Sequence, residues 1–191
     1  MPGVTEKKNP YPLRLRRKHG EGERPEATAD DGARLVRAQS LRNAFVAGLI
    51  TIIVFSLLWI LLSGATGRVF PWMTVILGAA LGLVVRKAGR GIDWRFPALA
   101  ALMALLGSVG GNIVLAASTT AAEYGTGTFD ILRAVTSMTW PVFFDEVWNV
   151  ADGFFAVVAA AFAAFLAPRR LSRRQRFALR LWQQQQSDRH Q

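Results

Sequence analysis

Four blocks of apolar residues, separated by polar links, dominate the chain from residue 45 onward. They cover about 45–63, 69–86, 97–118 and 149–167. Each block has the length, roughly 17–25 residues, that a helix needs to cross about 30 Å of hydrocarbon. A helix in the core of a soluble protein shows a polar face at every turn, and these blocks do not. The pattern predicts an all-α integral membrane protein, a four-helix bundle over residues 44–168.

The segments on either side of these blocks predict two cytoplasmic tails. Residues 1–43 are basic and rich in proline and glycine, so we expect a disordered tail, although residues 33–43 also fit a basic helix entering the membrane. Residues 169–191 predict a basic amphipathic helix that lies on anionic lipid or docks a partner. Its apolar face would hold Leu171, Phe177, Ala178, Leu181 and Trp182.

Basic residues collect on one side of the predicted bundle. Of the 23 lysines and arginines, only Arg68 and Arg133 fall in the two connections that alternate with the basic ones. The positive-inside rule therefore predicts both termini in the cytoplasm. A net charge of +10 also suits nucleic-acid binding. Because the basic residues flank the spans, we expect contact with anionic headgroups at the cytoplasmic face and no nucleic acid. Abundant arginine and alanine indicate a bacterial chain, and hence a multi-pass inner-membrane protein.

Two absences exclude whole classes of chemistry. The chain has no cysteine, which excludes disulfides, thiolate metal sites and paired-cysteine redox chemistry. Its two histidines, His19 and His190, lie in the tails, so no pair of imidazoles in the spans offers haem ligands. We expect no cofactor and no metal.

Polar side chains at matching depth in the last two spans are the best site candidates. At about 1.5 Å per residue, Asn112 and Asp152 each lie some 22–24 Å from the cytoplasmic boundary. We expect them to hydrogen-bond across spans three and four as a structural clasp, with Ser108 as a further buried polar group. Asp145, Asn149 and Asp152 also share a helical spacing, so the alternative is a cation site or the start of a proton path.

Glycines at a spacing of four mark close helix contacts. Gly78 and Gly82 in span two, and Gly107 and Gly111 in span three, have the spacing that lets helix backbones approach closely. We expect packing within the bundle, and the alternative is a dimerisation face.

The loop Gly89-Arg90-Gly91 carries two competing interpretations. A phosphate-binding loop needs a strand before it and a helix after it, whereas this loop follows an apolar span. A tight cytoplasmic turn explains the glycines better, with Arg90 and Arg95 reaching lipid headgroups and Asp93 pairing with one of them. A headgroup held by Arg90 and Arg95 would satisfy both interpretations.

The run GRGIDWRF, at 89–96, leads into a span that ends in Gly111-Asn112. With Asp152-Gly153-Phe154-Phe155 opening the last span, it resembles an uncharacterised family of small four-span bacterial membrane proteins whose hairpin loop reads Gly-x-Gly-Ile-Asp-x-Arg-Phe. The likeness covers about residues 70–170. The chain departs from the family in its last span, where Ala and Phe replace frequent tyrosines. The resemblance implies the topology and carries no activity.

The outer loop, residues 119–148, is the longest connection. Phe129, Leu132, Val135 and Trp140 are spaced as one helical face, which Pro141 interrupts, so we expect a short helix on the outer surface. It is either a plain connector or a docking surface or lid.

Taken together, these features indicate a non-catalytic accessory subunit or scaffold of a membrane complex, associated with another membrane protein or with itself. The alternative is a small transporter or channel subunit that uses Asn112, Asn149 and Asp152. An enzyme is a third option, with Asp145, Glu146 and Asp152 as ligands of a hard cation. No nucleophile–base pair accompanies these carboxylates, so we do not expect an enzyme.

Overall fold

The computed structural model describes residues 26–135 and 139–189, and the regular structure in this part is entirely helical. Its helices are α1 (Ala29–Arg37), α2 (Leu41–Thr66), α3 (Met73–Gly89), α4 (Arg95–Tyr124), α5 (Thr128–Ala134), α6 (Trp140–Val147), α7 (Val150–Leu166) and α8 (Arg173–Asp188). Each of the four apolar blocks lies on one of the longer helices, α2, α3, α4 and α7.

Two of these helices are long and apolar enough to cross a membrane. They are α2, with 26 residues and a mean hydropathy of 2.8, and α4, with 30 residues and a mean hydropathy of 2.0. The other two, α3 and α7, have 17 residues each. At about 1.5 Å per residue they are about 25 Å long, the short limit for a spanning helix.

Helices α3 and α4 form the centre of the bundle. Both contact α2 on one side and α7 on the other, and in the described part of the chain α2 and α7 do not touch. The main core joins Leu77, Leu81 and Val85 of α3 to Ala100 and Met103 of α4, all nearly or fully buried. The first and last of the four long helices are therefore held together only through the two between them.

The four glycines predicted at close helix contacts all lie inside the bundle. A methyl group on Gly78 would strike the backbone of Ala159, and one on Gly82 would lie 2.7 Å from the carbonyl oxygen of Ala163. These two glycines therefore let α3 and α7 approach backbone to backbone. Gly107 faces Ile52 and Leu77, and Gly111 faces Trp59. None of the four is free for a dimer contact without opening these helix pairs.

The outer surface of the bundle is apolar on every long helix. Only 11% of the most apolar window of α2 is buried, against 44% for α4. Large exposed side chains include Leu57 and Leu61 on α2, Leu83 on α3, Leu106 on α4, and Phe154 and Phe165 on α7. A surface this apolar has to be covered, because soluble proteins rarely expose contiguous apolar patches above a few hundred Å².

Helix α1 corrects the prediction of a disordered tail for residues 29–37. Thr28 and Asp31 form a capping box: the Asp31 N–H donates to Oγ1 of Thr28, and the Thr28 N–H donates to Oδ2 of Asp31 (both 3.3 Å). The helix also packs against a second helix, and the amino-acid composition of the tail gives no sign of that contact. Residues 1–25 lie outside the described part of the chain. Nor do residues 33–43 form one helix, because α1 ends at Arg37 and α2 begins at Leu41.

That neighbour is α8, the helix predicted in the basic C-terminal tail. Gly32 packs against Ala178 and Trp182, and an ion pair of 3.7 Å joins Asp31 to Arg174. Among the described helices, α1 and α8 each contact only the other. The two tails thus form a helical pair of their own, and we call it the tail pair.

The connection between α4 and α7 contains two short helices where one was expected. Phe129 and Leu132 lie on α5, whereas Trp140 begins α6, with Pro141 at its second position. Proline is tolerated in the first turn of a helix, since its missing N–H would have no partner there. Pro141 therefore helps to start α6 and does not interrupt an earlier helix. Both α5 and α6 contact α4.

Candidate functional site

A pocket of about 470 Å³ lies at the end of the bundle where α2 ends and α3 and α7 begin. It brings together the three residues that the sequence proposed for a clasp or for transport, Asn112, Asn149 and Asp152. The described residues that line it are Val69, Pro71, Asn112, Leu115, Ala116, Thr119, Thr120, Asn149 and Asp152. The volume is within the range of small-molecule sites in proteins, about 300–1,000 Å³.

Asp152 is held in place by the start of α7. Asn149 is the N-cap residue: its Oδ1 accepts a hydrogen bond from the Asp152 N–H (3.0 Å), and its own N–H donates to Oδ2 of Asp152 (3.1 Å). This reciprocal capping box satisfies two N–H groups at the helix end and fixes the carboxyl group. Asp152 is 7% exposed. The residue is therefore buried, and its carboxyl group is oriented by the bond to the Asn149 N–H.

The same cap overturns the predicted polar strip. Asn149 has an extended backbone, φ −114° and ψ 170°, so the chain leaves α6 before α7 begins. Asp145 lies on α6 and does not share a helical face with Asn149 and Asp152. It is also not among the described residues that line the pocket. The side chain of Glu146 lies outside the described part of the structure.

Asn112 is the most unusual group in the pocket. It is 6% exposed, and its Nδ2 has no hydrogen-bond partner in the described structure. The predicted hydrogen bond to Asp152 is therefore absent from the described structure, and the donor to that carboxyl group is the Asn149 N–H at the start of α7. Ser108, one turn earlier, is satisfied within α4, since its hydroxyl donates to the Ala104 carbonyl at 2.7 Å. Buried polar groups are normally paired, so the free amide requires an explanation.

The pocket also includes two threonines that were not predicted as site residues. Thr119 and Thr120 lie about two helical turns beyond Asn112, the spacing that repeats one face of a helix. The apolar pattern predicted them in the loop after span three, but α4 continues to Tyr124. Val69 and Pro71, between α2 and α3, were not predicted either, because no local sequence pattern indicates their contact with α4. Trp59 Nε1 and Ser63 Oγ are further buried groups without a partner in the described structure.

The lining residues limit the chemistry of the pocket. Asp152 is the one ionisable side chain among the described residues that line it, and no lysine or arginine is among them. Among the side chains that the structure describes, no three of His, Asp or Glu come together as metal ligands. The described lining combines one carboxyl group, two side-chain amides and two hydroxyl groups on an otherwise apolar wall.

The loop that follows α3 lies at the opposite end of the bundle and is bound to both tails. The Ser40 N–H donates to the Gly89 carbonyl (3.0 Å), and the Ile92 N–H donates to Oε1 of Gln39 (3.0 Å). The Arg169 N–H donates to the Gly91 carbonyl (3.1 Å). These bonds join the loop to the links before α2 and after α7.

This arrangement does not fit a phosphate-binding loop. The element before it is helix α3, and the Ile92 N–H is already used within the chain. Arg90 caps α3 in the left-handed region, φ 51°, and a methyl group on Gly91 would overlap the ring of Phe96. Arg90, Asp93 and Arg95 are exposed, and the structure gives Asp93 no ion pair with the described arginines. The loop is a tight turn with two free arginines.

Comparison of the chain with models of protein families, with curated proteins and with solved structures gave no match.

Proposed function

We propose that all four long helices cross a bacterial inner membrane, with both tails and the Gly89–Phe96 loop in the cytoplasm. The support comes from three features of the described structure. The exterior of α2, α3, α4 and α7 is apolar, exposed tryptophans lie near both ends (Trp72 and Trp94), and basic residues concentrate at the loop end. Although α3 and α7 are short, 17 residues suffice for a span without much tilt.

Within that membrane, the chain acts as a non-catalytic accessory subunit or scaffold. The observation that carries this proposal is the tail pair, α1 with α8. It is a folded basic unit that is held at the cytoplasmic end by Gln39, Ser40 and Arg169 and contacts no other helix in the described part of the chain. Such a unit offers a fixed surface to a partner subunit or to the anionic leaflet. The proposal includes headgroup contacts at Arg90 and Arg95.

Native mass spectrometry tests the subunit proposal. The chain is extracted from its native membrane into lipid nanodiscs and weighed with whatever remains bound. A second protein at fixed stoichiometry is expected, and its loss on Gly32→Leu would assign the contact to the tail pair. A homo-oligomer that retains only lipid would contradict the proposal. The double variant Arg90→Ala/Arg95→Ala should retain less anionic lipid than the double variant Arg133→Ala/Arg68→Ala, which has the same charge loss on the other side.

A second function, transport, is favoured by one observation, the pocket that holds Asp152. The weakness of this alternative is the rest of α7: residues 154–166 are all Ala, Val, Phe or Leu, so no polar relay continues across the membrane on this helix. A path would need other helices or an oligomer. Flux in liposomes that is lost in Asp152→Asn and kept in Ser108→Ala would support transport, and equal flux in both would contradict it.

A further inference from the structure

We infer that the tail pair docks on the anionic leaflet of the membrane through one face of α8, formed by Arg173, Arg176, Phe177 and Arg180. We call this surface the arginine face. The inference rests on the proposed four-span arrangement, and it assigns the α8 side of the tail pair to lipid. The matching surface is a layer of anionic headgroups, such as those of phosphatidylglycerol.

The first step concerns the apolar face of α8, which the sequence predicted to lie on lipid. Ala178 is 1% exposed, and Gly32 of α1 packs against Ala178 and Trp182. Of the five apolar residues predicted on that face, Phe177 alone is exposed. While α8 is paired with α1, its apolar face is therefore covered by protein. Any contact of the tail pair with lipid has to use another face.

The second step concerns the face that this pairing leaves free. Arg173, Arg176 and Arg180 lie about 140–160° around the helix from Ala178, at 3.6 residues per turn. All three are exposed, and none forms an ion pair in the described structure. Phe177 lies at the edge of the same face. Three uncompensated cations and an exposed aromatic ring match a headgroup layer, because basic side chains are attracted to anionic lipid and aromatic rings favour the interface.

The third step compares the two outer faces of the tail pair. On α1, Asp30, Arg34 and Arg37 lie about 140–160° around the helix from Gly32, the residue that packs on α8. They carry two positive charges and one negative charge, whereas the arginine face carries three positive charges. An anionic surface therefore attracts the α8 side more strongly. This orientation leaves α1 facing the cytoplasm, where a partner subunit can reach it.

The fourth step concerns the distance of the tail pair from the leaflet. Residues 38–40 link α1 to α2, and residues 167–172 link α7 to α8. A link of three residues extends at most about 11 Å. The N–H groups of Ser40 and Arg169, within these links, donate to carbonyls of the loop after α3. An acidic protein could match the same charges, but the leaflet is the anionic surface that these links keep beside the tail pair.

Collision of spin labels with a nickel-chelating lipid tests the docking. The full chain, which has no cysteine, is labelled at Gln184→Cys or Asp30→Cys and placed in phosphatidylcholine nanodiscs with or without phosphatidylglycerol. Gln184 is exposed, one turn beyond Arg180. Its label should collide with the nickel lipid severalfold more often when phosphatidylglycerol is present, and the Asp30 label should collide rarely in both. No increase at Gln184, as with a protein partner, or a larger increase at Asp30, would overturn the inference.

A third label, Trp94→Cys, separates this inference from the arrangement on which it rests. Trp94 is 76% exposed at the loop end of the bundle, so its label should collide with the nickel lipid in both compositions if the bundle spans the membrane. Collision at Trp94 without an increase at Gln184 would overturn the docking alone. Collision at neither position would overturn the four-span arrangement and the docking together.

Two triple variants test which face binds. The first changes each arginine of the arginine face to glutamine, and the matched control is Arg34→Gln/Arg37→Gln/Arg189→Gln. At about fivefold per arginine, the first should shift the docking equilibrium about 100-fold toward the undocked tail pair and abolish the increase at Gln184. The control loses the same charge elsewhere in the tail pair and should keep the increase. Equal loss in both would contradict the assignment to this face.

Salt provides a test that needs no change to the arginines. Arg176 Nε also donates to the Leu171 carbonyl (3.3 Å), so the first triple variant alters the start of α8 as well as its charge. If that variant does not fold, a salt titration of the chain labelled at Gln184 decides. Salt screens exposed charges and should remove the increase at Gln184 while collision at Trp94 persists. An increase that salt does not change would contradict docking by the arginines.

Discussion

Asn112 of α4 and Asp152 of α7 line the same pocket, yet no hydrogen bond joins them in the described structure. Asp152 is engaged by its own helix end, through Asn149, while the amide nitrogen of Asn112 has no partner. The two residues are therefore neighbours in a site and not a clasp between helices. Their separate roles lead to different expectations for substitution.

Loss of the cap on α7 should destabilise the bundle without any ligand. Asn149→Ala removes the side-chain oxygen that accepts the Asp152 N–H and should lower the free energy of unfolding by about 1 kcal/mol. Asn149→Ser retains an oxygen at this position and should cost only a few tenths of this. Reversible unfolding in detergent, followed by circular dichroism, measures both. Equal stability of Asn149→Ala and the unaltered chain would show that the cap is not formed.

Substitution of the glycine between α3 and α7 should be severe. Because a methyl group on Gly78 would strike the backbone of Ala159, Gly78→Ala forces α3 and α7 apart, and overpacking of this kind costs about 1–3 kcal/mol. Gly110 of α4 has open space around it, so Gly110→Ala is the matched control and should leave the midpoint of thermal unfolding unchanged or slightly higher. Similar losses in both variants would contradict the close contact.

The bond between Gln39 and the loop after α3 should be visible in hydrogen exchange. Gln39→Leu removes the acceptor of the Ile92 N–H, a bond of 3.0 Å, and should raise exchange at Ile92 about fivefold for a loss near 1 kcal/mol. Gln39→Glu keeps an oxygen acceptor and should preserve protection. Fast exchange at Ile92 in the unaltered chain would mean that the tails are not bound to this loop.

Pairing of the tails should depend on packing and not on charge. The Asp31–Arg174 pair is 3.7 Å long with both side chains about half exposed, and exposed pairs contribute only about 0–1 kcal/mol. Gly32→Leu, in contrast, places a large side chain against the backbone of Ala178. Because the chain lacks cysteine, spin labels can be attached through Asp30→Cys and Arg180→Cys. Their distance distribution should broaden in Gly32→Leu and stay narrow in Asp31→Asn, and broadening in neither would contradict the packing.

Local patterns in the sequence identified much of this architecture. Apolar runs located the four long helices, and the glycine spacing located Gly78 and Gly82, because both depend on residues close together in the chain. Long-range pairing was not predictable: neither the partner of Gly78, Ala159, nor the contact of α1 with α8 leaves a local signal. The start of α7 could have been predicted, since Asn149 and Asp152 have the spacing of a capping box. The helical spacing of Asp145, Asn149 and Asp152 instead suggested one continuous helix.

In the site, too, local patterns predicted some features, while contacts between distant residues were not predictable. Depth counted along two helices brought Asn112 and Asp152 to one level, and the structure places them in one pocket. Counting residues cannot tell which hydrogen bond a carboxyl group prefers when its own helix end supplies a donor. The predicted span three also ended at residue 118, whereas α4 continues to Tyr124. Thr119 and Thr120 were therefore not considered as site residues.

Four membrane crossings with both tails on one side are the central claim, and cysteine labelling tests it most directly. Single substitutions at exposed positions, Arg68→Cys, Asp93→Cys, Thr126→Cys and Arg189→Cys, are treated in intact spheroplasts with a membrane-impermeant maleimide. Arg68→Cys and Thr126→Cys should react from outside, whereas Asp93→Cys and Arg189→Cys should react only after permeabilisation. Reaction of Asp93→Cys in intact spheroplasts, or protection of Arg68→Cys, would contradict the four-span account.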